Sequence, residues 1–537
     1  MNIRSLRLKW LVALLPLLAG PLACQTLLRP EQRTAQNDMA SGGAYPRRPD
    51  GGDKPRRSLA TEAKEEGPAI IQTNAVDEAT PPKDAETHPF VNAIPPPFAD
   101  YSIDLETAIG LAGADNPTIA LAQEAVSASR AEQLEAQALL LPSLNAGVSY
   151  NDHQGSLQTA TGVIRKVTRQ SLYDGAGAEA VGAGTVGFPG VHLFADLADA
   201  AFAPRAARER VAGRSFDAQA TRNTVLLEAA TRYFDLAGAA ASLQAYRQSE
   251  AEAEQIASLT AAFAQAGQGR QSDAERARGS ALLLHTEEQR AEEEVAVAAA
   301  ALARVLDMDP AVRLHAPDGP PPLIQLVDPH ADLEALVRIA LDDRPEIAAR
   351  SADVAANETL LRQERLRPLL PLLSVGYSAG QFGGGSDLAD SRFGHFSGRT
   401  DFDAYAVWSL ENFGVGNWAR QRRRRAQVGE AEAERTRTID RIRREVAEAL
   451  ALSAAHLEEV DTARRRVQTA SQSFRADLVR AKNLEGQLIE VLDSVNSLAT
   501  ARQDLIRALT GYDVAQFQLF VALGRPPSAA DYPSSRP

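Results

Sequence analysis

The chain has 537 residues and a formal net charge of −13; hydrophobic residues make up 44% of it but aromatics only 5%. The acidic excess argues against a general nucleic-acid binder, which presents a basic face to phosphates. The single cysteine, Cys24, excludes a disulfide framework and any Cys-based zinc or iron–sulfur site, while abundant Ala, Leu, Glu and Arg favour long helices over a compact enzyme core.

In chain order, residues 1–24 read as a secretory signal: Arg4, Arg7 and Lys9 precede an apolar run from Trp10 to Ala23. That run is too short and wrongly flanked for a stable membrane span. It ends in Pro21-Leu22-Ala23-Cys24, which resembles a bacterial lipoprotein cleavage box in which the cysteine becomes the lipidated first residue. Gln25, which is not Asp, fits sorting to the outer membrane in that pattern. Residues 25–100 hold 11 of the 30 prolines and no sustained apolar period, so they read as a disordered Pro-rich tether.

Beyond the tether the sequence repeats itself. Asp104-Leu105-Glu106 and Asn116-Pro117-Thr118-Ile119-Ala120 return as Asp332-Leu333-Glu334 and Arg344-Pro345-Glu346-Ile347-Ala348. Each copy continues through a helical stretch to a proline and a period-2 segment. In the first, Leu144, Ala146, Val148 and Tyr150 alternate with Asn145, Gly147 and Ser149; in the second, Leu373, Val375 and Tyr377 alternate with Ser374, Gly376 and Ser378. This pattern suits strands with one apolar and one wet side. Gly-rich stretches, about 151–182 and 381–400, read as the connections to second strands near Val186 to Phe194 and from Phe402 to Leu410. Pro189 demands a bulge or an edge in the former. Two hairpins give four strands per chain, too few to close a barrel, so copies must share one.

Long helices follow each hairpin. Ile439, Ile442, Val446, Ala449, Ser453, Leu457, Val460, Ala463, Val467, Ala470 and Phe474 keep helical spacings of three or four, a coiled-coil-like seam. A helix over about 419–483 would be roughly 100 Å long, and its counterpart over 205–266 roughly 90 Å. The fold expected is mainly α with a small β portion, in two repeats (101–328 and 329–525) and a short tail (526–537).

Over about residues 101–525 the chain resembles the TolC-like outer-membrane efflux proteins. The resemblance rests on the paired helix openings, the Pro-x-Leu strand entries and Trp408-x-Leu410-x-Asn412-Phe413-Gly414-x-Gly416. It rests also on the helical turns before Asp273 and Glu490-Val491-Leu492-Asp493, and on Leu519 to Gly524. It implies a homotrimer with a shared 12-stranded barrel in the outer membrane and a helical tube through the periplasm. It further implies a passive exit duct of a tripartite efflux or type I secretion system, served by a periplasmic adaptor and an inner-membrane RND or ABC transporter. No catalysis and no cofactor are expected.

Two regions stand out as candidate sites. Gly267 and Gly269 break the helical pattern just before Asp273, and Gly486 does so before Glu490; a turn glycine followed by a helix-start carboxylate is the plain reading. The resemblance makes these turns the tube entrance and the adaptor-docking tip. Arg422, Arg423, Arg424 and Arg425, with Arg420, cluster after the fourth strand, between Trp408 and Trp418. They read either as a solvated face or as contacts to inner-leaflet phosphates, with the tryptophans as interfacial aromatics.

Other motifs lack context. Gly376-Tyr377-Ser378-Ala379-Gly380 fits a nucleophile elbow without a following helix, and the glycine pattern 182–187 fits a dinucleotide loop without one. The eight histidines, His285 and His456 among them, have no paired metal spacing. Two rival functions are a non-pore coiled-coil lipoprotein bridging envelope layers and an anchored hydrolase using Ser378.

Overall fold

The computed structural model describes residues 100–527, apart from 115, 181–185, 310, 389–390 and 484–487. All of them belong to a unit spanning Phe90–Pro537. A short parallel pair, β1 (Asp100–Ser102) with β7 (Arg313–His315), ties the start of this unit to the middle of the chain. Between them run α1 (Leu105–Ala114), α2 (Pro117–Ala138), β2 (Ser143–Leu144), β3 (Ala146–Gln158), β4 (Ile164–Ala180), β5 (Val186–Pro189), β6 (Val191–Asp196), α3 (Leu197–Gln265) and α4 (Gln271–Val305). The order then recurs as α5 (Leu333–Asp343), α6 (Pro345–Leu366), β8 (Leu372–Ser386), β9 (Ser391–Val407), α7 (Val415–Lys482) and α8 (Leu488–Ala522).

The recurring helix openings are caps. Asn116 Oδ1 accepts the Thr118 N–H at 2.9 Å ahead of Pro117, and Asp332 accepts the Ala335 N–H at 3.0 Å ahead of α5. Proline in the first turn of α2 and α6 gives up an N–H that has no partner within the helix. The helices match in length: 22 residues each for α2 and α6, 69 and 68 for α3 and α7, and 35 each for α4 and α8. At 1.5 Å per residue, α3 and α7 are each about 100 Å long. Their seams are lined with small residues, which lets long helices approach closely. Along α7, Ile442, Val446, Ala449, Ser453, Val460, Ala463 and Phe474 are buried, while Ile439, Leu457, Val467 and Ala470 are only half-buried. The one polar seam residue is satisfied: Gln516 on α8 donates through Nε2 to Ser453 Oγ at 2.6 Å.

The sheet is an antiparallel meander of four long strands. The first is β2 with β3, the second β4 resumed by β6, the third β8 and the fourth β9. The stretches 151–182 and 381–400, expected as connections, are largely strand among their described residues, with turns at 159–163 and 387–388. In those upper strand halves polar residues and glycine are mixed with scattered apolar ones such as Val167, Leu172, Phe382, Phe393 and Phe396, so the period-2 apolar signal is lost although the ladder continues. The second strand of the first hairpin is likewise not a single run near Val186. β4 leaves the ladder at Gly177, and after β5, β6 resumes against β8 from Val191.

Register fixes two unlike faces. Leu144, Val191, Tyr377 and Phe402 form one row across all four strands, and Leu193, Val375 and Ala404 form the next. Leu144, Val148, Tyr150, Tyr377 and Phe402 are exposed. Asp174 and Gln381 interrupt this apolar face beside Val148. The opposite face carries Ser149, His192, Ser374, Ser378, Arg399, Asp401 and Asp403.

Candidate membrane junction and helix-hairpin tip

Where β9 meets α7 the backbone turns through three consecutive left-handed residues, Asn412, Phe413 and Gly414, at φ 51°, 56° and 89°. Buried Asn417 holds this turn, its Oδ1 accepting the Glu411 N–H at 3.0 Å. The geometry pushes Phe413 fully into the open, and Trp408, Leu410, Val415 and Trp418 are exposed around it. Trp408 still donates through Nε1 to the Leu369 carbonyl at 3.3 Å. An apolar cluster this exposed marks a surface that meets something other than water.

The arginine run divides by direction. Arg422 lies over the Trp418 ring, 4.8 Å from its centroid. Arg422, Arg423 and Arg425 are exposed, and no carboxylate among the described residues pairs with them. Arg424 turns inward to Gln427 Oε1 at 3.0 Å. Burial lowers its pKa; Glu364 opposes the shift, while Arg423, Arg210 and Arg367 add to it. Arg420 belongs to a different structure, pairing with Glu364 at 3.4 Å and with Glu411 at 2.5 Å.

That structure is an ion-pair joint that sequence reasoning missed. Arg367, between α6 and β8, reaches Asp196 at 2.5 Å, Glu364 at 3.1 Å and also Asp199. Asp196 caps α3 at the same time, accepting from the Ala198 and Asp199 N–H groups, and Gln363 Nε2 donates to Asp199 at 2.5 Å. Burial works against the Arg367 charge, but Asp199, Asp196 and Glu364 more than offset it and hold its pKa above the usual arginine range. Glu364 is three residues from Arg367, but the pairs that join the two repeats lie 164 to 171 residues apart in sequence, beyond any local pattern. The joint locks the first strand-to-helix junction onto the second repeat.

At the far end of the long helices, α3 closes in a Schellman turn. Gly267 N–H bonds to the Ala264 carbonyl at 3.1 Å and Gln268 N–H to the Phe263 carbonyl at 2.9 Å, with Gly267 at φ 72°. Gly269, the second glycine of the turn, does not take a left-handed conformation. It is constrained by space, because a methyl there would come within 3.3 Å of Phe263 Cβ. The two hairpins lie side by side near their tips: Ile256 and Ala277 share one buried cluster with Phe474, Ala481, Val491 and Val495. The tip carboxylates are paired, Asp273 with Arg276 at 3.7 Å and Glu490 with Arg480 at 3.4 Å. Gly486 and Cys24 lie outside the described residues, as do residues 182–185 of the glycine pattern.

Ser378 sits mid-strand in β8, where its Oγ accepts the Gly190 N–H at 3.3 Å. No turn into a helix follows it, so the nucleophile-elbow context is missing. His285 Nδ1 lies 2.8 Å from Glu250, with Glu288 beside it on α4. Arg247 already occupies Glu288 at 3.0 Å, so the group reads as a surface ion cluster.

Residues 336–525 match the outer membrane efflux protein family. No curated protein matches the chain. Among solved structures, a membrane protein from Pseudomonas aeruginosa is similar at TM-score 0.65 and 21% identity, over 78% of this chain and 92% of that one. The CmeC outer membrane channel of Campylobacter jejuni is similar at 0.63 and 16%, over 78% and 85%. The MtrE outer membrane channel of Neisseria gonorrhoeae, in its open state, is similar at 0.59 and 18%, over 79% and 90%. The chain has the fold of these channels.

Proposed function

We propose, for a chain that carries an outer membrane efflux protein domain over residues 336–525 and has the fold of outer-membrane channels, that it is the exit duct of a tripartite export system. The observation that carries this reading is the sheet with one apolar and one polar face joined to helices of about 100 Å. Four strands whose outer members, β3 and β9, each pair on one side only among the described residues, with an apolar row spanning them, fit a barrel closed by three copies. The exposed cluster at Phe413 and Trp418, with Arg422, Arg423 and Arg425 beside it, fits the inner edge of that membrane, where cations meet headgroup phosphates. The paired tips at Gly267 and Glu490 then form the periplasmic entrance and meet an adaptor, and an inner-membrane pump supplies the energy.

The test is reconstitution of the purified protein. A heat-modifiable trimer giving single-channel conductance in planar bilayers is the expected result; a monomer or a silent oligomer overturns the reading in favour of a non-pore lipoprotein. Cys24 is proposed as the lipid anchor, with residues 25–100 as its tether. A Cys24→Ala variant should lose labelling by a fatty-acid analogue, and labelling that persists would remove the anchor from the scheme.

A further inference from the structure

Gly177–Ala180 and Val186–Gly190, between the β8-paired parts of β4 and β6, lie on the polar face of the sheet. Gly177 N–H bonds to the Asn145 carbonyl at 3.0 Å, Asn145 Nδ2 donates to the Pro189 carbonyl at 2.8 Å, and Gly190 N–H reaches Ser378 Oγ. Ala180 N–H points at Ser149 Oγ at 3.4 Å. Glycine makes the close seat possible: a methyl at 376 would come within 2.7 Å of Pro189 Cγ, and one at 190 within 2.6 Å of Ala176 Cβ. Ala180 and Val186 are buried in a cluster with Tyr173, with Phe382 packed against it. Asn145, Ser149, Gly376 and Ser378 all belong to the face opposite Val148, Tyr150, Val375 and Tyr377.

Within the hairpin itself, Ala178 pairs with Phe188 and Ala180 with Val186, and both alanines turn toward the sheet. Glu179 between them therefore points away from it. It is exposed, at φ 64°, and a methyl on Gly187 across the hairpin would lie 3.0 Å from its Oε2.

We infer that the hairpin of Gly177–Ala180 and Val186–Gly190 narrows the bore of the barrel and that Glu179 presents a carboxylate to the solutes passing it, favouring cations over anions. The inference rests on the pore reading above: in an outer-membrane barrel the apolar face meets lipid, so the face that seats the hairpin is the inner one. Three copies place three Glu179 carboxylates around one passage, the arrangement by which acidic rings select cations. Asp403 adds a further carboxylate on the same face, whereas Asp401 is balanced by its partner Arg399 at 2.8 Å.

Reversal potentials of full-length wild-type and variant channels, measured across a potassium chloride gradient in planar bilayers, test this. Glu179→Gln should lower the cation-to-anion permeability ratio several-fold, and Glu179→Lys should lower it further, with the effects strongest at low salt. In a Cys24→Ser background, Glu179→Cys should lose conductance on thiol modification, and bulkier reagents should block more. Wild-type selectivity in both charge variants, or unchanged current after complete modification, overturns the inference while the channel stands. A wild-type protein that forms no channel at all overturns the pore reading instead.

Discussion

Asp513 on α8 is fully buried, and its Oδ1 accepts the Ile324 N–H at 2.8 Å while Oδ2 has no protein partner. Burial raises its pKa to about 8, with the Ile324 bond pulling the other way. The folded chain therefore keeps this proton at pH 7, whereas the unfolded chain releases it near pH 4. Between those values the folded state binds the extra proton, so stability falls as pH rises, by about 1.4 kcal/mol for each pH unit at most. Asp513→Asn should flatten that slope, raising the unfolding temperature at pH 8 to 9 relative to wild type but not at pH 4. Parallel pH curves for the two proteins would refute a titrating Asp513. The neighbouring Gln516 takes both the Leu326 and Val327 N–H groups through Oε1 at 2.8 Å, so the same helix face pins the segment before α5. Nothing in the local sequence marks Asp513 or Gln516, because the N–H groups their side-chain oxygens accept lie 189 to 190 residues away.

A second residue-scale expectation concerns the tip. Gly267, not Gly269, carries the left-handed geometry, so Gly267→Val places a β-branched side chain where it costs more than 1 kcal/mol. Export should fall while trimer assembly persists, since the strands are remote from this turn along helices of about 100 Å. Wild-type export together with wild-type adaptor cross-linking in this variant would show that the first tip is not the docking surface. The sequence pattern located the turn but not the strained residue. Two glycines two positions apart both fit a helix stop, and only the hydrogen bonds from Gly267 and Gln268 decide between them.

For the strands, the apolar alternation from Leu144 to Tyr150 and from Leu373 to Tyr377 was legible because one face there is apolar. From Asn151 and from Gly380 onward it was not, because polar residues and glycine interrupt the apolar ones there and the alternation that announces a strand disappears. Pro189 was readable as a break, and it does sit where β5 ends and the chain crosses back to the ladder. The polar face it lands on required the register. That register makes a paired expectation. Val375→Arg on the apolar face should weaken membrane assembly by about 2–4 kcal/mol if the site lies at mid-membrane depth, falling toward zero near the interfaces. Asp403→Arg, on the polar face, should leave assembly intact. The fraction of heat-resistant oligomer recovered from membranes measures both; equal losses would mean that the faces are misassigned.

At the scale of the whole molecule, sheet and helices act together only if the joint between them holds. Arg367 is that joint: it lies between α6 and β8, and its three carboxylate partners sit at the start of α3 and the end of α6. Arg420, from the first turns of α7, closes the ring through the same Glu364. The helix ends that leave the second strand, feed the third and leave the fourth are thereby tied through two arginines, although the chain between Asp196 and Arg367 runs out to the tip and back. Removing one partner of a buried pair costs about 3–5 kcal/mol, because the remaining charges stay buried and unpaired. Arg367→Ala takes the shared cation from Asp196, Asp199 and Glu364, leaving Glu364 only Arg420 and Asp199 only Gln363, and Arg367→Lys keeps a charge but not the fork that spans them. Both variants should lower the temperature at which the oligomer dissociates, Ala more than Lys. A second change, Glu364→Gln in the Arg367→Ala background, should recover part of the loss by relieving like-charge repulsion. If the double variant is as unstable as the sum of the single changes, the carboxylates are independent of Arg367, and the joint is held by packing instead.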